Sequence, residues 1–198
     1  MKIAFTSDSH YGHTNICGPG VSSWKKGFRN FNSIEEMNNT IVDSYNEVLG
    51  EDDVLYHLGD WSFGGVDNIT KFRNRINCKN IILIYGNHDH HIRKSFRHLF
   101  KETHDFLERR IGGHLFILNH YAQRVWNKSH HGSFHLYGHS HGSLPDIGGK
   151  CFDIGWCVWR RPLLLEEVVG LMDKRDIHTV DHHNSECAEE RGGIPPSF

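Results

Sequence analysis

Five segments of the chain end an apolar run in residues that can bind a metal ion or move a proton: Asp8 and His10, Asp60, Asn87 with His88 and Asp89, His120, and His139 with His141. With His88 and Asp89 set aside, the remaining seven are two carboxylates, one amide oxygen and four imidazoles, with no thiolate among them. Seven protein ligands exceed what one catalytic ion can use while keeping a position open for water. Two ions that share one bridging carboxylate use the whole set, and water activated between two ions is a hydrolytic nucleophile. In Asp8-Ser9-His10 and in His139-Ser140-His141, an extended two-residue step is expected to point both side chains to one side. Gly59, Gly86 and Gly138 each precede a donor and permit a close backbone approach where a Cβ would collide.

For such donors to meet, the elements before them must converge. Lys2 to Ser7 (KIAFTS), DVLYHLGD and NIILIYGNHD each read as a buried strand that stops abruptly in polar residues. Ligands in open α/β sheets bind in the crevice beyond the carboxyl ends of strands, which is where these side chains fall. Ser33 and Glu36 form a capping box ahead of Ile34, Met37, Ile41, Tyr45, Val48 and Leu49, which recur at helical spacing until Gly50. A second helix is predicted over Val66 to Ile76, a third near His91 to Phe100, and a short one around Pro162 to Met172. HLFILNH, FHLYGHSH and CFDIG read as later strands. Alternation early and strands late predict an α/β fold, two mixed sheets packed face to face with helices outside. The domain is expected to span residues 1–173. Residues 174–198 are polar and aperiodic, and read as a flexible tail in which His182 and His183 are solvated rather than ligating.

Composition bounds the rest. With 198 residues and 37% hydrophobic content the chain supports one core. Its 22 basic and 24 acidic residues give no global reason to expect a polyanion partner. Five scattered cysteines without a C-x-x-C pair argue against a disulfide framework or thiolate zinc site. No run is apolar enough to be a signal peptide or to cross a bilayer, so a cytoplasmic protein without a membrane partner is expected. About half of the 18 histidines are read as surface or core rings with no metal role. Nothing here predicts the oligomeric state.

Taken together, Asp8-Ser9-His10, Gly59-Asp60, Gly86-Asn87-His88-Asp89, His120 and Gly138-His139-Ser140-His141 resemble the signature of the calcineurin-like metallophosphoesterases over roughly residues 2 to 160. SDSHYGHTNI, SIEEMN and YHLGD further resemble small single-domain bacterial and bacteriophage members. The resemblance implies a four-layer sandwich and two divalent transition-metal ions: manganese first, with iron, zinc or nickel also compatible with the donors. It implies Asp8, His10, Asp60 and His141 on one ion and Asp60, Asn87, His120 and His139 on the other, with Asp60 bridging. His88 would act as the acid facing the leaving-group oxygen. Asp89 is read either as the carboxylate that orients His88 or as a helix N-terminal carboxylate.

The implied reaction is phosphoester hydrolysis by in-line attack. Lys25, Lys26 and Arg29 in one stretch, and Arg124 and Lys128 in another, flank the ligands without nearby acids. They are expected to make a positive mouth for a small anionic phosphoester, such as a nucleotide or cyclic nucleotide. His13, Arg29 and Arg124 are the candidate phosphate contacts. Trp24 and Trp126 are read as stacking platforms or as packing residues. A nuclease on single-stranded nucleic acid is the alternative. A non-catalytic scaffold of the same fold is disfavoured because every ligand position and His88 are filled.

Overall fold

The structure is a computed structural model, and it describes residues 1–23, 29–146 and 148–178. Strands β1 (Ile3–Thr6), β2 (Val54–His57) and β3 (Asn80–Ile84) are the three early apolar runs, lying side by side and parallel. β4 (Glu102–His104) extends them in parallel beyond β3, and β9 (Leu163–Leu164) pairs antiparallel with β1. The order of this five-stranded sheet is β4-β3-β2-β1-β9. A second, four-stranded sheet has the order β5-β6-β7-β8, from β5 (Leu107–Ile111), β6 (His114–Leu118), β7 (Phe134–Tyr137) and β8 (Cys151–Asp153). It too is mixed: β5 and β6 are antiparallel, and the other two pairs are parallel.

Strand alternation sorts the core into layers. Ala4, Leu55, Ile81 and Leu83 point to one face, where α1 (Ile34–Val48) and α2 (Val66–Arg75) bury Met37, Ile41, Tyr45, Ile69 and Phe72. Phe5, Tyr56, Ile82 and Ile84 point the other way, onto Phe116, Leu118, Phe134 and Leu136 of the second sheet. Phe5 stacks between Tyr56 and Phe116 at centroid distances of 5.2 and 5.0 Å, which pins the sheets together. The outer face of the second sheet is covered by the loop carrying Trp126, which packs on Ile117, Tyr137 and Cys151. Trp126 is thus a packing residue; Trp24, Lys25, Lys26 and residues 179–198, including His182 and His183, lie outside the described residues.

The α1 cap forms as expected, with Ser33 Oγ accepting the Glu36 N–H at 3.0 Å, although Glu36 returns its carboxylate to the Asn32 N–H. Two predicted helices differ from expectation. Residues 92–99 are helical, but as a π-helical segment followed by a 3-10 turn, with Ile92 buried and Phe96 and Leu99 packed half-buried on the same core. The Pro162 region splits into β9 and α4 (Leu165–Asp173), since Leu163 is taken up as a partner of Phe5 in β1. Among the described residues no helix is long and apolar enough to cross a membrane.

Candidate metal centre

β1, β2 and β3 of one sheet and β6 and β7 of the other end at one edge of the sandwich, and all seven predicted donors follow those ends. Three overlapping groups result, each with ligand atoms within 4.8 Å of one another: Asp8, His10 and His141; His10, Asp60 and His88; Asp60, His120 and His139. His10 and Asp60 each belong to two groups: His10 links the first to the second, and Asp60 links the second to the third. Asn87 joins through its Oδ1, 3.1 Å from His120 Nε2. His88, expected beside the ligands, sits close enough to His10 and Asp60 to share a cation with them.

The local backbone differs from the predicted extended step. Asp8, His10, Asp60, His139 and His141 all have positive φ, between 48° and 65°. Each donor therefore sits in a left-handed turn, a conformation that side chains adopt only where the surroundings hold them. The holding bonds are visible. Asp8 N–H donates to the Gly59 carbonyl at 2.9 Å and His10 N–H to the Asp60 carbonyl at 3.0 Å, tying the first donor loop to the second. Asp8 accepts the His139 N–H, which ties the first sheet to the second. A Cβ at Gly59 would meet the backbone of Gly86, at Gly86 the Asp60 side chain, and at Gly138 the side chains of Ser7 and Asp8. The glycines thus allow the donor loops to touch one another.

The fit to cations rests on unpaired lone pairs. His10 is 3% exposed, yet among the described residues neither ring nitrogen has a hydrogen-bond partner; Nε2 lies 3.4 Å from Asp60 Oδ2 and 3.8 Å from Asp8 Oδ1. His120 donates Nδ1–H to the Leu58 carbonyl at 2.7 Å, so its Nε2 in the neutral ring faces Asn87 Oδ1 and Asp60 Oδ2 lone pair to lone pair. A proton or a cation must lie between them. Without an ion the protein supplies the proton: burial disfavours the charged His120 ring, but its bond to Asp60 outweighs this and raises its pKa. Burial opposes ionisation of Asp60, yet the hydrogen bond and charge of His120 hold it well below the usual carboxylate range. Asp8 is pushed up to about 7, chiefly by burial. Burial drives His10 well below its ordinary value and so keeps it in the neutral form that ligates.

Asp89 has a different task from orienting His88. Fully buried, it accepts N–H bonds from Asp60 at 2.8 Å, Trp61 at 3.0 Å and Gly86 at 2.8 Å, stapling the loop after β2 to the loop after β3. No hydrogen bond joins it to His88 among the described residues. The His88 backbone N–H instead bonds Asp60 Oδ1 at 2.9 Å. Its ring stands edge-on to His10 and to Phe63, at 5.5 and 5.0 Å.

Of the predicted phosphate contacts, two face the donors. His13 and Arg29 line the same cavity as His10, Asp60, Asn87, His88, His139 and His141, a cleft of about 630 Å³. Burial and the charge of His88 lower the His13 pKa to about 4, so it faces the cleft as a neutral ring. Arg29 is buried, and its guanidinium donates to the carbonyls of Asp8 and Ser9 and to Cys157 Sγ. Its charge reaches the cleft while its donors brace the first ligand loop. Arg124 lies elsewhere, exposed on a separate cavity with Tyr137, Leu144 and Cys151, and Lys128 lines a third. The loop after His120 carries both away over the second sheet, although both are near His120 in sequence.

Several contributors were not singled out from sequence. Ser9 Oγ is 2.7 Å from His57 Nε2 and also bonds Tyr45, a buried polar chain beneath the Asp8–His10 turn. Asp153, at the end of β8, accepts the N–H groups of Gly142 and Gly155 and so shapes the His139–His141 loop. Cys157 Sγ stands 3.0 Å from His141 Nδ1, and Arg160 lines the cleft beyond it. Only the polar-at-strand-end signal could have found Asp153.

Among known proteins the chain is similar to the uncharacterized protein MJ1445 of Methanocaldococcus jannaschii, 29% identical over 182 residues, with 87% of this chain and 92% of that one covered. It is also similar to the Gene 66 protein of Mycobacterium phage L5, 24% identical over 213 residues, with 88% and 98% covered. The crystal structure of AQ665, a protein of unknown function from Aquifex aeolicus, superposes with a TM-score of 0.62 at 22% identity, covering 86% of this chain and 98% of that one, which speaks for the fold alone. Residues 1–152 match the calcineurin-like phosphoesterase superfamily domain, and with the donors assembled at its strand ends the chain belongs to that superfamily.

Proposed function

We propose that the chain is a metal-dependent hydrolase of small phosphoesters that uses a pair of divalent ions, manganese being the first to test. The observation that carries this reading is the overlap of the donor groups through His10 and Asp60, together with lone pairs at His10, His120 and Asn87 that only protons or cations satisfy. Two ions held there would polarise the phosphoryl group and make a water nucleophilic near neutral pH. Asp8, His10 and His141 would hold one ion, Asp60, Asn87, His120 and His139 the other, with Asp60 common to both.

His88 is half-buried on the wall of the cleft, its backbone fixed to Asp60, so its ring can present a proton to the departing oxygen without displacing a donor. Asp89 keeps that geometry by stapling the loops on which Asp60 and His88 sit. His13 and the charge of Arg29 favour an anionic substrate in a cleft whose facing side chains include one carboxylate, Asp60. The test is turnover of bis(4-nitrophenyl) phosphate, with 4-nitrophenyl phosphate alongside, after chelation and again after manganese is restored. The reading expects activity to vanish and return; hydrolysis that survives chelation contradicts it.

A further inference from the structure

The cleft has a direction. From His88 the rings run to His10 at 5.5 Å and on to His141 at 5.0 Å; His141 Nδ1 then meets Cys157 Sγ at 3.0 Å, which Arg29 Nε also meets at 3.2 Å. Behind Cys157 lies the buried Trp156, and two guanidinium groups rest on its ring: Arg29 at 5.0 Å and Arg160 at 5.1 Å from the ring centroid. Arg29 is spent on backbone carbonyls and the sulfur. Arg160 is not. It is exposed, lines the cleft with Ser140 and Ser143, and among the described residues has no ion pair with a carboxylate. Its neighbour in sequence contrasts with it, since Arg161 is paired with Glu167. Arg160 also holds a left-handed backbone, φ 61°, closing the short helix α3 (Trp156–Trp159) with its N–H on the Trp156 carbonyl. A conformation that a non-glycine residue adopts only at a cost here places a cation at the cleft wall.

We propose that Arg160 is a substrate-binding residue that receives a second anionic group, carried on the non-leaving side of the phosphoester. This rests on the hydrolase reading, because the direction is set by His88 at the leaving-group end and Arg160 at the other. A planar guanidinium with its donors unspent and its face on an indole suits a phosphate or carboxylate several ångströms from the reacting one. The substrate class is therefore a phosphodiester whose retained portion bears a terminal phosphate or carboxylate. A simple diester would leave Arg160 without a partner.

The test uses two chromogenic esters with the same scissile bond, thymidine 5′-(4-nitrophenyl phosphate) and its 3′-phosphorylated form, on metal-loaded wild type, Arg160→Gln and Arg160→Lys. Arg160→Gln is expected to raise KM for the 3′-phosphorylated ester about 5-fold, with kcat within about 2-fold and the plain ester unaffected; Arg160→Lys is expected to recover part of the loss. Calorimetric binding of thymidine 3′,5′-bisphosphate is expected to weaken by the same factor in Arg160→Gln. Equal change on both esters, or no change on either, overturns the proposal. Should wild type turn over neither ester, the hydrolase reading fails, and the bisphosphate titration alone decides: weakening confined to Arg160→Gln upholds an anion subsite, and equal affinity removes it.

Discussion

The centre has an inner and an outer rank, built differently. Asp8, His10, Asp60 and His120 are buried, and their loops are cross-tied by backbone bonds and by the Asp89 staple. Asn87, His139 and His141 are exposed, and His88 half-buried, on loops that reach over the cleft. The inner rank draws on both sheets and closes against the core, while the outer rank meets whatever enters. Four of the seven donors are thus fixed by folding, while the other three stay accessible together with His88. A mutation in one rank should then read out differently from one in the other.

The largest effect is expected at Asp60, the donor shared by two groups. Asp60→Asn should cut metal content measured by plasma mass spectrometry and lower phosphodiester turnover roughly 10³-fold. Retained metal with retained turnover would break the division into ranks. Next comes His88→Ala, which should keep its metal and lose about 10²-fold in kcat on an ester with a poor leaving group, with less loss on a nitrophenyl ester. Equal loss on both esters would move His88 from acid to ligand, a role its distance to His10 and Asp60 permits.

Asp89→Ala sharpens the comparison through stability. Removing the staple orphans three N–H groups, which should cost about 3 kcal/mol in urea denaturation, before any effect on metal is counted. An Asp89→Ala protein of unchanged stability would show that the inner rank is not held in this way. The smallest effect belongs to Arg124→Gln. Because Arg124 faces a separate cavity, KM and kcat should stay within about 2-fold of wild type.

The donors were legible in the sequence because each ends an apolar run, and short apolar runs with abrupt polar ends mark buried strands. Their cross-links were not legible. Asp89 reads locally as a partner for its neighbour His88, and only the approach of the β2 and β3 loops reveals three N–H groups waiting for it. The left-handed turns at Asp8 and His10 were missed for a similar reason: no glycine signals them, and tertiary bonds impose them. The edge strand β4 carries Glu102 and His104, whose polarity hides it; it forms by pairing with β3. Arg160 and Arg124 show the same limit for substrate contacts, since sequence distance from a ligand says little about which wall a loop reaches.

The most direct test is anomalous diffraction from manganese-loaded crystals. Two peaks are predicted, one among Asp8, His10 and His141 and one among Asp60, His120 and His139, with Asp60 reaching both. An empty cluster at saturating manganese, or one ion enclosed by protein donors with no position for water, would contradict the account.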